Sequence, residues 1–491
     1  MLTPEALGQV APLINGRSIP TESEGRHAGY NPATGKKLGD IPEGCARDVE
    51  KAVVSARASF IQGAWSKAPP SHRKGVLNKW ADLIQNAAVH LDALDALEMG
   101  KPVSVPVFNA VGAAAFVRFN AEAIDKVLGD VFTSDSTSTV IQKRTPRGVV
   151  AAIIPWNFPT YNVVLKAAPA LAAGNSVILK PSELASRSAL ILAQLALEAG
   201  IPSGVLNFLP GCGETVGKTL GLHMDVDMVT FTGSTAVGKL MLQYAGLSNL
   251  KVVNAECGGK SPQIMFNDGV NLDAAADNIA AMISLNQGQV CSAGSRLLVQ
   301  ESAEEALVQK VIARLEKGVA GDPQLATTSQ GPLVSRGQLD KVLSFIDGAS
   351  SEGADLIHGG ARILQHSGGY FIEPAVFVNV PEHSRIAQQE VFGPVLSVLR
   401  FRDLEDAVRL ANATCYGLAA YVWTSRMDIG FQIANMLSTG VTMVNACAPA
   451  GEGPAHAFSG EPFKLSGVGA EGGMAGLQTY MRRQTIWFNH G

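Results

Sequence analysis

Short β-branched runs alternating with amphipathic stretches constrain what this chain can fold into more than any other feature. The runs at residues 149–154, 176–179, 205–209 and 228–231 are each followed by a helix-like segment. Strands covered by helices on both faces read as such apolar runs, so the succession predicts βα units and a parallel sheet between helical layers. Residues 167–173 and 186–199 are helical by composition, and Gly174-Asn175 and Gly200-Ile201-Pro202 stand where those helices should end. A second alternating region spans residues 261–442, with strands expected at 295–300, 370–380 and 395–401. Residues 130–143 differ from both regions. They are polar, β-prone and poor in helix formers, which predicts an arm able to pair with another subunit.

At 491 residues, 46% hydrophobic and 17% charged, the chain can bury a large core and is too long for one compact unit, so two or three domains are expected. A formal net charge of −4 and a pI near 6.2, with Lys and Arg scattered, leave no basic footprint for nucleic acid or an anionic membrane. The first residues lack the basic segment and apolar core of a signal peptide. The most apolar stretch, 148–158, is broken by Pro155 and falls short of the roughly 20 residues that cross a bilayer. Six cysteines, at 45, 212, 257, 291, 415 and 447, form no Cys-x-x-Cys pair, and the nine histidines show no metal-ligand spacing. A disulfide framework and a metal site are therefore not expected, and a cytoplasmic protein with free thiols is. Cys45, Cys212, Cys415 and Cys447 are expected to be small buried side chains.

Three short motifs carry chemistry. Cys291 in Gln287-Gly288-Gln289-Val290-Cys291-Ser292 offers a thiol nucleophile. Glu256 in Glu256-Cys257-Gly258-Gly259-Lys260 offers a carboxylate base, and Asn157 in Pro155-Trp156-Asn157-Phe158-Pro159 an amide that can hold a developing oxyanion. Together they describe a site that attacks a carbonyl. A fourth run, Phe231-Thr232-Gly233-Ser234-Thr235-Ala236-Val237-Gly238, follows a β-prone segment, with helix formers from Lys239 onward. That order aims backbone N–H groups at a pyrophosphate, and Ser234 adds a hydroxyl.

With these motifs in order, the chain resembles the aldehyde dehydrogenase superfamily over nearly its whole length. Further matching runs are 174–183, containing Lys180-Pro181-Ser182-Glu183, and Glu390-Val391-Phe392-Gly393-Pro394. The resemblance implies a Rossmann-type NAD-binding domain at residues 1–129 and 148–257 and an α/β catalytic domain at 258–445. A small β oligomerisation arm would comprise 130–147 and 475–491, and residues 446–474 a substrate-mouth loop and the return to the first domain. It implies Cys291 as nucleophile, the Asn157 amide with the Cys291 backbone N–H as oxyanion donors, and Glu256 as the base that activates water against a thioester. Because that carboxylate is present, a free acid is expected rather than an acyl-coenzyme A. Cys257 occupies a position that is apolar in the family and is expected to pack, although a second thiol there could form an oxidative disulfide with Cys291.

Cofactor contacts implied by the resemblance are Ile154, Trp156, Lys180, Ser182, Glu183, Gly213, Gly217, Phe231, Gly233, Ser234, Val237, Glu390 and Phe392. A carboxylate at Glu183 accepts from ribose hydroxyls and repels a 2′-phosphate, so NAD is expected over NADP, with NADP possible. Relatives with such an arm are homo-oligomers, so a homodimer or homotetramer is expected.

For the substrate, residues 120–126 and Gln484-Thr485-Ile486-Trp487 look closest to the ω-aminoaldehyde branch, which oxidises γ-glutamyl or guanidino aldehydes. In that branch the helix near residues 108–119 carries acidic side chains that grip a cation. Here Phe108-Asn109-Ala110-Val111-Gly112-Ala113-Ala114-Ala115-Phe116 has none, and a buried ammonium without a partner is costly. Phe108, Asn109, Gly112, Phe158, Asn162, Leu165, Val290, Ser292 and Phe458 are the expected funnel residues. They suit a bulky neutral or aromatic aldehyde. Residues 446–465 are longer than the family's mouth loop and lack its Pro-Phe-Gly-Gly run; were Glu452 or Glu461 to point inward, an aminoaldehyde would fit instead. A non-catalytic binding or structural protein is the reading of another class, and NADH absorbance with a panel of aldehydes separates it from an enzyme.

Overall fold

The computed structural model describes residues 2, 7–446 and 459–491. Five parallel strands, Leu206–Phe208, Ser176–Lys180, Val149–Ile153, Met228–Thr232 and Val252–Glu256, lie side by side in that order. Leu13–Ile14 and Arg17–Ser18 extend one edge antiparallel, and Gly467–Val468 the other. Helices Pro159–Ala172, Arg187–Ala199 and Thr235–Gly246 lie between consecutive strands in the sequence. Both Val149–Ile153 and Ser176–Lys180 are buried at every residue, as the apolar runs require. Two apolar clusters cover the two faces of this sheet, one holding Val150, Ala152 and Leu179 and the other Val149, Ala151 and Ile178. Numbered by sequence, the five strands are ordered 3-2-1-4-5. The winding reverses between Val149–Ile153 and Met228–Thr232, and ligands of open α/β sheets bind beyond the carboxyl ends of strands at such a point.

A second sheet has seven strands, of which Ala375–Val378, Val395–Phe401, Arg296–Gln300, Pro262–Met265, Ala419–Trp423 and Val441–Val444 are parallel neighbours in that order. Asp355–His358 closes one edge antiparallel. The strand expected over 370–380 is only Ala375–Val378. Pro374 precedes it without an N–H to give the ladder, and Asn379 ends it in the left-handed region at φ 51°. The helix expected from Lys239 begins at Thr235, because the Ser234 Oγ accepts from Val237 N at 3.3 Å and caps it.

The strands within residues 130–146 belong to neither large sheet. Asp130–Phe132 and Ser138–Pro146 form a three-stranded antiparallel sheet with the carboxyl-proximal Met481–Asn489, which pairs from Met481↔Pro146 to Asn489↔Ser138. Val131, Phe132, Trp487 and Phe488 on this sheet are exposed.

The cysteines correct one expectation. Cys415 is exposed, in the turn between helix Leu404–Asn412 and strand Tyr416–Gly417, and Cys45 and Cys212 are half-buried at helix starts, whereas Cys257 is buried; Cys447 lies outside the described residues. All five described cysteines are free. Among the described residues no helix is long and apolar enough to cross a membrane.

Candidate active site

Beyond the reversal point of the first sheet lies a cleft with about 630 Å³ of empty space, lined from one side by Pro155, Trp156 and Asn157 and from the other by Thr232, Gly233 and Ser234. The second sheet's region supplies Cys291, Gln338, Lys341, Glu390 and Phe392 to the same cleft. Residues that are remote in sequence and belong to separate motifs thus face one space.

Cys291 is held by a strained loop. Asn286 and Gln287 are buried with φ of 47° and 56°, in the left-handed region where non-glycine residues cost about 1–3 kcal/mol each. Hydrogen bonds hold the strain in place. Asn286 Nδ2 donates to the Asn157 carbonyl at 2.8 Å, and Val334 N donates to Gln289 Oε1 at 3.0 Å. Asn157 Nδ2 in turn donates to the Gln289 carbonyl at 3.0 Å, while its Oδ1 accepts from Asn162 Nδ2 at 3.3 Å, so the amide is oriented nitrogen toward the cysteine loop. The thiol is half-buried. Desolvation, then Glu390 and Glu256, push it up to about 12, and the Ser292 N–H partly opposes them. At neutral pH it carries its proton.

Glu256 ends strand Val252–Glu256. Burial raises its carboxyl well above the ordinary value, Glu471 raises it further, and Lys166 works against both. Lys166 is fully buried, ion-paired with Glu471 and 3.4 Å from the Phe231 carbonyl. This pair was missed at the sequence level. Lys166 is the only charged residue of helix Pro159–Ala172, which is a readable sign; Glu471, in a glycine-rich run, gives none without the topology. Gln338 and Lys341 were likewise missed.

Of the residues expected at the cofactor, Trp156, Gly233, Ser234, Glu390 and Phe392 line the cleft. Trp156 and Phe392 stand edge to face, 5.4 Å between ring centroids at 89°, and Glu390 accepts from Gly259 N at 3.0 Å. Phe231 does not face the cleft. Its buried ring packs beneath Gly233, where an added Cβ would come within 2.5 Å of it. Ile154 is buried in the core, its N–H donating to the Lys180 carbonyl at 2.9 Å, and Val237 packs against the cluster of Val49 and Phe231. Lys180 Nζ is 3.7 Å from Glu183 Oε2 at the end of strand Ser176–Lys180, and the Ser182 Oγ accepts from Leu184 N at 3.3 Å. Gly213 and Gly217 bracket one helical turn, and neither would meet an atom within 4 Å if it gained a Cβ.

Of the funnel residues, Phe108, Phe158 and Val290 come together with Tyr161, also missed, in one apolar cluster beside the thiol. Phe108 lies 4.8 Å from Phe158 and 5.1 Å from Tyr161, centroid to centroid. Gly112 faces the Tyr161 ring. Asn109 Oδ1 accepts from Gly112 N at 2.9 Å and caps helix Ala110–Ala123. Asn162 is committed to Asn157. Leu165 lies one turn along the helix from Tyr161, in a recess with Phe116, Asn120 and Glu471. The Ser292 carbonyl accepts from the Tyr421 hydroxyl at 2.9 Å, Phe458 and Glu452 lie outside the described residues, and Glu461 is exposed.

The sequence model described as "Aldehyde dehydrogenase family" matches residues 19–486. The chain belongs to the aldehyde dehydrogenase family. It is 41% identical over 479 residues to the NADP/NAD-dependent aldehyde dehydrogenase PuuC of Escherichia coli (strain K12), covering 97% of this chain and 95% of that protein. A crystal structure of an indole-3-acetaldehyde dehydrogenase in complex with NAD+ superimposes with a TM-score of 0.96 at 42% identity, over 99% of this chain and 98% of the other. The γ-glutamyl-γ-aminobutyraldehyde dehydrogenase of Burkholderia cenocepacia J2315 gives 0.96 at 41%, with the same coverage.

As an aldehyde dehydrogenase, the protein is an oxidoreductase that uses NAD(P) and acts on an aldehyde. The cleft suits a dinucleotide on its own features. The Thr232 hydroxyl is buried and unpartnered at the cleft wall, and the amino end of helix Thr235–Gly246 opens beside it.

Proposed function

We propose that the protein oxidises a bulky neutral or aromatic aldehyde to its free carboxylic acid through a covalent adduct on Cys291. The observation that carries this reading is the tie between the Asn157 amide and the cysteine loop in a cleft that also contains Glu390 and Phe392. Glu256, within electrostatic range of the thiol, takes its proton, and the sulfur adds to the carbonyl carbon to give a thiohemiacetal. Asn157 Nδ2 and the Cys291 N–H receive the oxyanion. The chemistry that the dinucleotide supplies when bound is acceptance of the hydride leaving this carbon. Loss of the hydride from the oxyanion makes Cys291 a thioester; Glu256, once it has passed the thiol's proton to solvent, draws a proton from the water that attacks it, and the C–S bond breaks to release the acid and the Cys291 sulfur. Glu183 beside Lys180 favours a free ribose hydroxyl, hence NAD over NADP.

The aldehyde class follows from Phe108, Phe158, Tyr161 and Val290, which pack as an aromatic and aliphatic wall. The relative named for indole-3-acetaldehyde accords with an aromatic substrate; the relative named for γ-glutamyl-γ-aminobutyraldehyde marks the alternative. Steady-state kcat/KM for benzaldehyde-type against 4-aminobutyraldehyde-type substrates tests the assignment. A preference for the neutral aromatic aldehyde is expected, and a strong preference for the amine would overturn it. A reducing compartment such as the cytoplasm belongs to the proposal because Cys291 acts as a free thiol.

A further inference from the structure

Helix Ala88–Met99 carries three acids, Asp92, Asp95 and Glu98, spaced three residues apart and so on one face. Each accepts a hydrogen bond from the first available backbone N–H of a different helix. Asp92 Oδ1 accepts from Ala110 N at 3.0 Å, Asp95 Oδ2 from Thr160 N at 3.2 Å, and Glu98 Oε2 from Arg187 N at 3.0 Å. The three helices capped in this way, Ala110–Ala123, Pro159–Ala172 and Arg187–Ala199, begin within four residues of Phe108, the Asn157-Phe158 pair, and the Lys180 to Glu183 run. One helix face therefore sets where the funnel, the amide and the cofactor strand end begin.

Asp95 is the most committed of the three. It is 1% exposed, yet its Oδ1 has no hydrogen-bond partner, and the Thr160 and Ser188 hydroxyls face it without well-formed bonds. Buried Lys101 supplies a nearby positive charge to Asp92 and Asp95. Pro159 has no N–H, so Asp95 takes the first donor the helix possesses, three residues beyond Asn157. That helix also holds Asn162, which fixes the Asn157 oxygen.

We propose that Asp95 is a positioning residue for the Asn157 amide, holding the first turn of helix Pro159–Ala172 in the register that aims Nδ2 at the cysteine loop. The inference rests on Asn157 serving the reaction as argued above. It is tested by the steady-state constants of Asp95→Ala, Asp95→Ser and Asp95→Asn in the full-length enzyme, beside Asn157→Ala. Because small displacements of a reacting group cost rate rather than binding, Asp95→Ala should lower kcat by about tenfold or more while KM for NAD changes by less than about twofold. Asp95→Asn, which keeps an acceptor oxygen, should recover most of the lost kcat. Where Asp95→Ala does not fold, Asp95→Ser is held to the same criteria. Unchanged kcat in a folded variant, equal loss in Asp95→Ala and Asp95→Asn, or failure of both Ala and Ser variants to fold beside a normal Asn variant would overturn the proposal in favour of a purely structural acid. If Asn157→Ala itself leaves kcat unchanged, the reading of the site fails first; if it collapses kcat and Asp95→Ala does not, only the positioning role fails.

Discussion

Glu256, the base of the proposed mechanism, is acted on by a second carboxylate and an ammonium, and its strength in that role depends on the balance between them. Glu471 raises its pKa and Lys166 lowers it, so the two neighbours can be told apart by sign. A base works only when deprotonated, so kcat should rise with pH through the Glu256 pKa. Glu471→Gln removes the raising charge and should move that limb to lower pH. Lys166→Met should move it to higher pH, and shifts in the same direction for both variants would contradict the assignment. Asn157→Ala removes one preorganised donor and should reduce kcat by about 10²–10³-fold, measured with saturating aldehyde and NAD. Cys291, Glu256 and Asn157 could be proposed from sequence because each sits inside a short motif whose residue types suggest a chemistry. Lys166 and Glu471 are not, since 305 residues separate the partners and only the fold joins them.

At the scale of elements, the turns carry as much of the function as the strands. Gly288 lies at φ 67°, and a Cβ there would come within 2.2 Å of the Gly393 carbonyl. Gly288→Ala must therefore displace backbone in the cysteine loop and should destabilise the protein by more than about 1 kcal/mol in thermal unfolding. Gly213→Ala provides the contrast. Its Cβ meets nothing within 4 Å, so stability should hold while KM for NAD rises, and an unchanged KM would remove Gly213 from the cofactor site. The parallel strands of the first sheet were legible because burial on both faces forces continuous apolar runs. The short Ala375–Val378 strand was overread because Tyr370, Phe371 and Ile372 bring strand-like side chains to a segment that Pro374 keeps out of the ladder. Tyr161 escaped notice for a related reason, since a lone aromatic in a helix looks like core until Phe108 is seen to pack on it.

For the whole molecule, the three-stranded sheet of Asp130–Phe132, Ser138–Pro146 and Met481–Asn489 leaves Val131 and Trp487 75% and 73% exposed, more apolar surface than an isolated arm should offer to water. We expect the protein to sediment as a homodimer or homotetramer, and the double substitution Trp487→Asp, Phe488→Asp to yield a smaller species. A wild-type monomer would contradict this. The strands within 130–146 were legible from their polar, β-prone composition, but the third strand was not separable from the rest of the tail until pairing with Ser138–Pro146 fixed the register. The proposed mechanism rests on one sulfur atom, and its direct test is the rate of NADH formation by Cys291→Ala and Cys291→Ser at saturating aldehyde and NAD. A fall of at least about a thousandfold in both, with NAD binding retained, is expected when a covalent nucleophile is removed; turnover near the wild-type rate in either variant would contradict the covalent mechanism.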